Sequence, residues 1–115
     1  MNHEKLRCYE ELMDAAKSMP ALMDALPRGY YDLADQLQRA LTSAILNLSE
    51  GNARISKKER ARFFDISLAS LAESAAAIDI MHAFRLISVE TRDALKSKFR
   101  IAYAMIVRLK KPKVG

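Results

Sequence analysis

The stretch QLQRALTSAILNLSEGNARISKKERARFFDISLASLAE, residues 36–73, sets two helical hydrophobic patterns on either side of a five-residue break, residues 51–55. Before the break, Leu37, Ala40, Leu41, Ala44, Ile45 and Leu48 recur at three- and four-residue intervals, the spacing of one helix face. A second stripe at the same spacing, Gln36, Arg39, Ser43, Asn47 and Glu50, is polar throughout. Gly51 stands where a left-handed residue would cap the helix end. Ser56 and Glu59 then have capping-box spacing, so the next helix begins at Ser56. Phe63, Phe64, Ser67, Leu68, Ser70, Leu71, Ser74, Ala75, Ile78 and Met81 make its wide inward face. Many of these are small, which lets neighbouring helix axes approach closely.

Outward from this centre, the pattern predicts two more helices and no strands. Upstream, Leu6, Tyr9, Leu12, Met13, Ala16 and Met19 form a stripe on a helix starting near His3. Pro20 should end or kink it, with one further turn over residues 21–26 and a loop at Pro27-Arg28-Gly29. The second helix then spans about Tyr30 to Glu50, and the third runs from Ser56 to about Leu86. Ser88 is the expected N-cap of the fourth, with the stripe Leu95, Phe99, Ala102, Tyr103, Ile106 and Leu109 and a stop at Pro112. Short connections between four amphipathic helices imply an all-α, antiparallel up-down-up-down four-helix bundle in a single domain, residues 1–115.

The charge is unevenly distributed. Residues 1–51 hold five Lys/Arg against eight Asp/Glu, whereas residues 52–115 hold fourteen against six. A basic half points to a polyanionic partner, nucleic acid first among them, against the plainer reading of a solvated basic surface. No apolar run reaches the ~20 residues of a membrane span. The N-terminus lacks the apolar segment of a secretory signal, and Cys8, the single cysteine, excludes an internal disulfide. A cytoplasmic protein with no membrane partner is the expectation.

Arg54, Lys57, Lys58, Arg60 and Arg62 surround the start of the third helix, where the dipole and free N–H groups also favour phosphate. Lys57 and Lys58 sit in the first turn, where the dipole disfavours cations, so a purpose other than helix stability is implied. Lys96, Lys98 and Arg100 form a second cluster. Arg108, Lys110, Lys111 and Lys113 form a third, which a helix C-terminus alone would explain. With Phe63, Phe64 and Phe99 read as core, no aromatic is left to stack on bases, and contact should be with the backbone at low sequence specificity.

The polar stripe Gln36, Arg39, Ser43, Asn47 and Glu50, with Glu73 on the next helix, reads as a structural or interface network rather than a catalytic one. Arg39 is expected to pair with Glu50 or Glu73 within or between subunits. His3 and His82 belong to no ligand-spacing motif, and no Gly-rich phosphate loop or nucleophile elbow is present. No catalytic residue, metal or cofactor is expected.

Gln36, Arg39, Ala40, Ser43, Asn47, Glu50 and Gly51, followed by Arg54, Ser56, Glu59, Phe63, Ile66, Ser70, Leu71 and Glu73, carry a resemblance. The stretch resembles the bacterial four-helix-bundle family of proteins encoded within 23S rRNA intervening sequences. That family includes the accessory variability determinant proteins of diversity-generating retroelements. Leu48-Ser49 departs from the family's Ile-Ala, Phe64 from Leu and Ala69 from Gly, and the Leu-Ser-Glu-Gly form is nearer the rRNA-linked pattern. The resemblance implies a ring-like homo-oligomer, a pentamer, that binds nucleic acid; the reading adopted is of RNA or DNA binding without catalysis. In the retroelement branch the partner would also include a reverse transcriptase, and a docking scaffold for such an acidic partner is the alternative function.

Overall fold

The computed structural model describes residues 3–111 as five helices without strands: α1 (His3–Lys17), α2 (Met19–Ala25), α3 (Tyr31–Ala53), α4 (Lys57–Ala83) and α5 (Val89–Lys110). Pro112 and Lys113, expected as a helix stop and a cation, lie outside the described residues. The four long helices form an antiparallel bundle 51 × 23 × 20 Å in extent. Each packs on two neighbours, in the cyclic order α1, α3, α4, α5. Side-chain pairs fix the directions. Ser43 meets Ser70 across α3 and α4, Lys96 meets Asp79 across α5 and α4, and the Cys8 thiol donates to the Ala102 carbonyl across α1 and α5.

The α1–α2 break falls at Ser18, whose N–H and hydroxyl both donate to the Ala15 carbonyl, so the chain turns before Pro20. Pro20 itself sits in the first turn of α2, where its missing N–H has no helical acceptor to lose. Ser56 and Ser88 are the N-caps of α4 and α5, accepting from the Glu59 and Thr91 N–H groups at 3.4 and 3.1 Å. Only the hydroxyl half of the expected capping box is made.

Gly51 is corrected by the structure. It is no left-handed cap; α3 runs through it to Ala53, and only Gly29 among the described glycines has positive φ. Gly51 is buried, and a Cβ there would lie 2.5 Å from Cε1 of Phe64, so the missing side chain makes room for that ring. The α3–α4 contact continues as a row of serines: Ser67 donates to the Ala44 carbonyl at 2.7 Å and Ser74 to that of Ser70 at 2.8 Å. Their hydroxyls are satisfied locally, so three buried serines fit a close helix contact without orphaned polar groups.

The core also shifts two predicted faces. Cys8, Leu12, Ala15 and Met19 are the buried line of α1 and α2, while Leu6 is exposed. The face turns because α1 contacts both α5 and α3, which centres it between them. Phe63 is half-buried and Tyr103 exposed, since each sits at the edge of its helix's buried arc.

Candidate nucleic-acid interface

Helix direction decides where the charge goes. In this topology α1 and α4 start, and α3 and α5 end, at the same end of the bundle. The first turn of α4 brings Lys57, Lys58 and Arg60 there; the last turn of α5 brings Arg108 and Lys110, and its C-cap Lys111; the start of α1 brings His3, Glu4 and Lys5. With Ala61 and Leu109 they line a cavity of about 800 Å³. Seven of the lining side chains are Lys or Arg, and Glu4 is the one carboxylate.

Part of this charge is matched within the chain. Arg108 approaches Glu4 at 3.9 Å, and Lys110 bonds Asp65 one turn further along α4. Lys57, Lys58, Arg60 and Lys111 form no ion pair with any described residue. Ser56 caps the Glu59 N–H, while the N–H groups of Lys57 and Lys58 have no helical acceptor. The cations of α5 suit the negative end of its dipole, but those of α4 face the positive end of theirs. Like charges thus oppose one another across the cavity, and an anion between them would relieve both walls.

The sequence-derived cluster of α4 is divided. Lys57, Lys58 and Arg60 line the cavity. Arg54 and Arg62 lie beside it, their guanidinium carbons 5.1 and 5.6 Å from the Phe63 ring centroid; Arg54 also bonds Glu50 at 2.8 Å. Arg60 approaches the buried Phe64 ring at 5.8 Å. Lys96, Lys98 and Arg100 are not brought to this end. Lys96 is bound to both oxygens of Asp79 at 2.8 and 3.0 Å. Arg100 precedes Arg108 by two helical turns, ~12 Å at the helical rise. The residues that replace them, Arg108, Lys110 and Lys111, had a sufficient explanation in the α5 dipole, and Lys5 belonged to no cluster. The antiparallel topology was the signal that joins them, because it places one helix end beside the others.

The polar stripe occupies the outer seam of α3 and α4. Ser43 and Ser70 hydroxyls meet at 2.8 Å, and the Asn47 amide donates to the Ser43 carbonyl at 2.8 Å and hydroxyl at 3.2 Å. Within the chain, Arg39 pairs with neither Glu50 nor Glu73. It bonds Asp35 at 2.9 Å, one turn away, whereas Glu50 is three turns along the helix and already bonded to Arg54. Gln36 and Glu73 are exposed, as is Leu46 beside Asn47 and, on α4, Ile66. A shallow groove runs here past Asp35, Arg39, Thr42, Leu46 and Asn47.

Among the described residues no group of three or more His, Cys, Asp or Glu is placed to hold a metal ion, and no helix is long and apolar enough to cross a membrane. Cys8 is buried and its thiol is pushed up to about 12, chiefly by burial and then by Glu11, with Arg108 opposing. His82 contacts Arg92, Nδ1 to Nη1 3.1 Å, at the opposite end of the bundle.

The fold is shared with a crystal structure of a protein of unknown function from the S23 ribosomal protein family of Bacteroides thetaiotaomicron. The two superpose with a TM-score of 0.85 at 14% identity over 95% of this chain and 99% of that one. At that identity the likeness is one of fold. No curated protein matches the chain. The family model described as 23S rRNA-intervening sequence protein matches residues 4–108, from the first turn of α1 to the last turn of α5. The chain therefore belongs to the 23S rRNA-intervening sequence protein family.

Proposed function

We propose that the protein is a non-enzymatic, cytoplasmic nucleic-acid-binding protein that acts as a homo-oligomer, a pentamer, and holds RNA or DNA by its phosphates. One observation carries the reading: cations from α1, α4 and α5 converge on a single cavity with one carboxylate in its lining. Family membership and the excess of eight positive charges over residues 52–115 (fourteen against six) support it. Contact with phosphates rather than bases is supported by Arg54 and Arg62, which flank the Phe63 ring. Assembly is supported by the outer α3–α4 seam, where Leu46 and Ile66 are exposed beside the Ser43–Asn47 network. Repetition of the basic end in a ring makes weak phosphate contacts multivalent.

Binding of nuclease-treated protein to structured RNA and to duplex DNA across a salt series tests the proposal. The logarithm of affinity should fall linearly with that of salt, and Lys57→Glu/Lys58→Glu should weaken binding and flatten the slope by about 2. No binding at low salt would favour a docking scaffold for an acidic protein such as a reverse transcriptase. Unchanged slope in the double variant would remove these lysines from the interface.

A further inference from the structure

We infer that the cavity at the basic end takes the terminal phosphomonoester of a nucleic-acid strand, so that the protein prefers strand ends to continuous backbone. This rests on the nucleic-acid reading above and adds which part of the polymer enters. Shape is the first argument. A duplex presents its phosphates on a convex surface, for which a stripe of cations along the bundle's flank would be complementary. Part of the flank charge is tied up: Arg39 by Asp35, Arg54 by Glu50 and Lys96 by Asp79. At the tip of the elongated body, cations from separate helices line one concavity. A strand reaches into such a recess by its end.

Size and charge agree. The cavity, about 800 Å³, falls within the usual range for pockets that enclose a small molecule, so it has room for a terminal nucleotide as well as its phosphate. A phosphodiester carries one negative charge, whereas a phosphomonoester carries about 1.5 to 2 at pH 7 and offers three strong acceptor oxygens. Lys57 and Lys58 on the α4 wall oppose Arg108 and Lys111 on the α5 wall, and the one lining carboxylate, Glu4, is 3.9 Å from Arg108. The second charge of a monoester relieves a repulsion that a single diester leaves partly in place. First-turn N–H groups of α4 add donors pointing the same way.

The test compares one single-stranded RNA sequence in four forms: 5′-phosphate, 3′-phosphate, both ends hydroxyl, and covalently circular. Affinities are read by fluorescence anisotropy at fixed salt. At least one phosphorylated end should bind about tenfold tighter than the hydroxyl and circular forms, the scale of one added charge-assisted contact. Lys58→Glu and, separately, Lys111→Glu should abolish that preference. Arg28→Glu, in the loop at the opposite end, should keep it, with thermal melts showing that each variant is folded. Equal, salt-sensitive binding of all four forms would overturn the end preference and leave the nucleic-acid reading standing. Binding of none would overturn both. A nucleoside 5′-monophosphate that displaces the RNA at the RNA's own dissociation constant would overturn the strand-end assignment in favour of a small-anion site.

Discussion

At Gly51 the chain lacks a side chain because the Phe64 ring fills the place of one, and the ring, fully buried, has nowhere to go. Gly51→Ala should therefore destabilise the protein by about 1–3 kcal/mol, the usual cost of overpacking a core, despite alanine's better helix propensity. Urea denaturation measures it, and an unchanged or raised midpoint would show that the ring yields. Both a cap and a close approach call for glycine, so the sequence identifies Gly51 as special without saying which role it has; the deciding atom belongs to a residue thirteen positions away. Cys8 gives a residue-scale prediction with a sign. Its thiol, pushed from 9.0 up to about 12, keeps its proton in the fold after the unfolded chain has lost its own. Below pH 9 the shift contributes nothing; between 9 and 12 it makes stability fall as pH rises, by at most about 1.4 kcal/mol per pH unit. Stability curves of wild type and Cys8→Ala should converge as pH rises through that window. Parallel curves would contradict the shift.

Helix starts were legible because an N-cap is local chemistry: a serine hydroxyl and an N–H three residues later, as at Ser56 and Ser88. The end of α4 was not. There the Leu86 N–H bonds the Met81 carbonyl and the Arg85 N–H that of His82, a Schellman closure that puts Arg85 at φ 61°. Without glycine at that position the sequence carries no stop signal, and the helical pattern reads on to Leu86. The same departure makes a prediction: Arg85→Gly should stabilise the protein by about 0.5–1 kcal/mol, the relief of left-handed strain less glycine's entropy in the unfolded chain. Calorimetry should show a higher melting temperature; a lower one would mean that the arginine side chain makes a compensating contact. The α1 face was misplaced by one position for a different reason. Periodicity reports which residues share a face, but the two helices that cover α1 decide which arc is deepest.

For the molecule as a whole, four periodic helices and short loops were enough to give the antiparallel bundle. The cavity was only half legible, since its α4 and α5 walls lie some fifty residues apart in sequence and meet only once the helices alternate in direction. The proposed oligomer belongs to this scale too. With Leu46 60% exposed on the outer seam of α3 and α4, Leu46→Glu should convert an assembled wild type to monomer in native mass spectrometry, with the bundle's melting temperature little changed. A variant that stays assembled would move the interface to another face.

The long, narrow body also has a kinetic consequence. Gathering cations at one tip of a 51 Å rod gives the molecule a lopsided electric moment. In the field of an approaching polyanion such a rod turns like a compass needle and arrives tip first. Orientation, ordinarily the slow part of finding a partner, is then settled before contact. Added salt should act mainly by slowing arrival, with the lifetime of the complex far less affected.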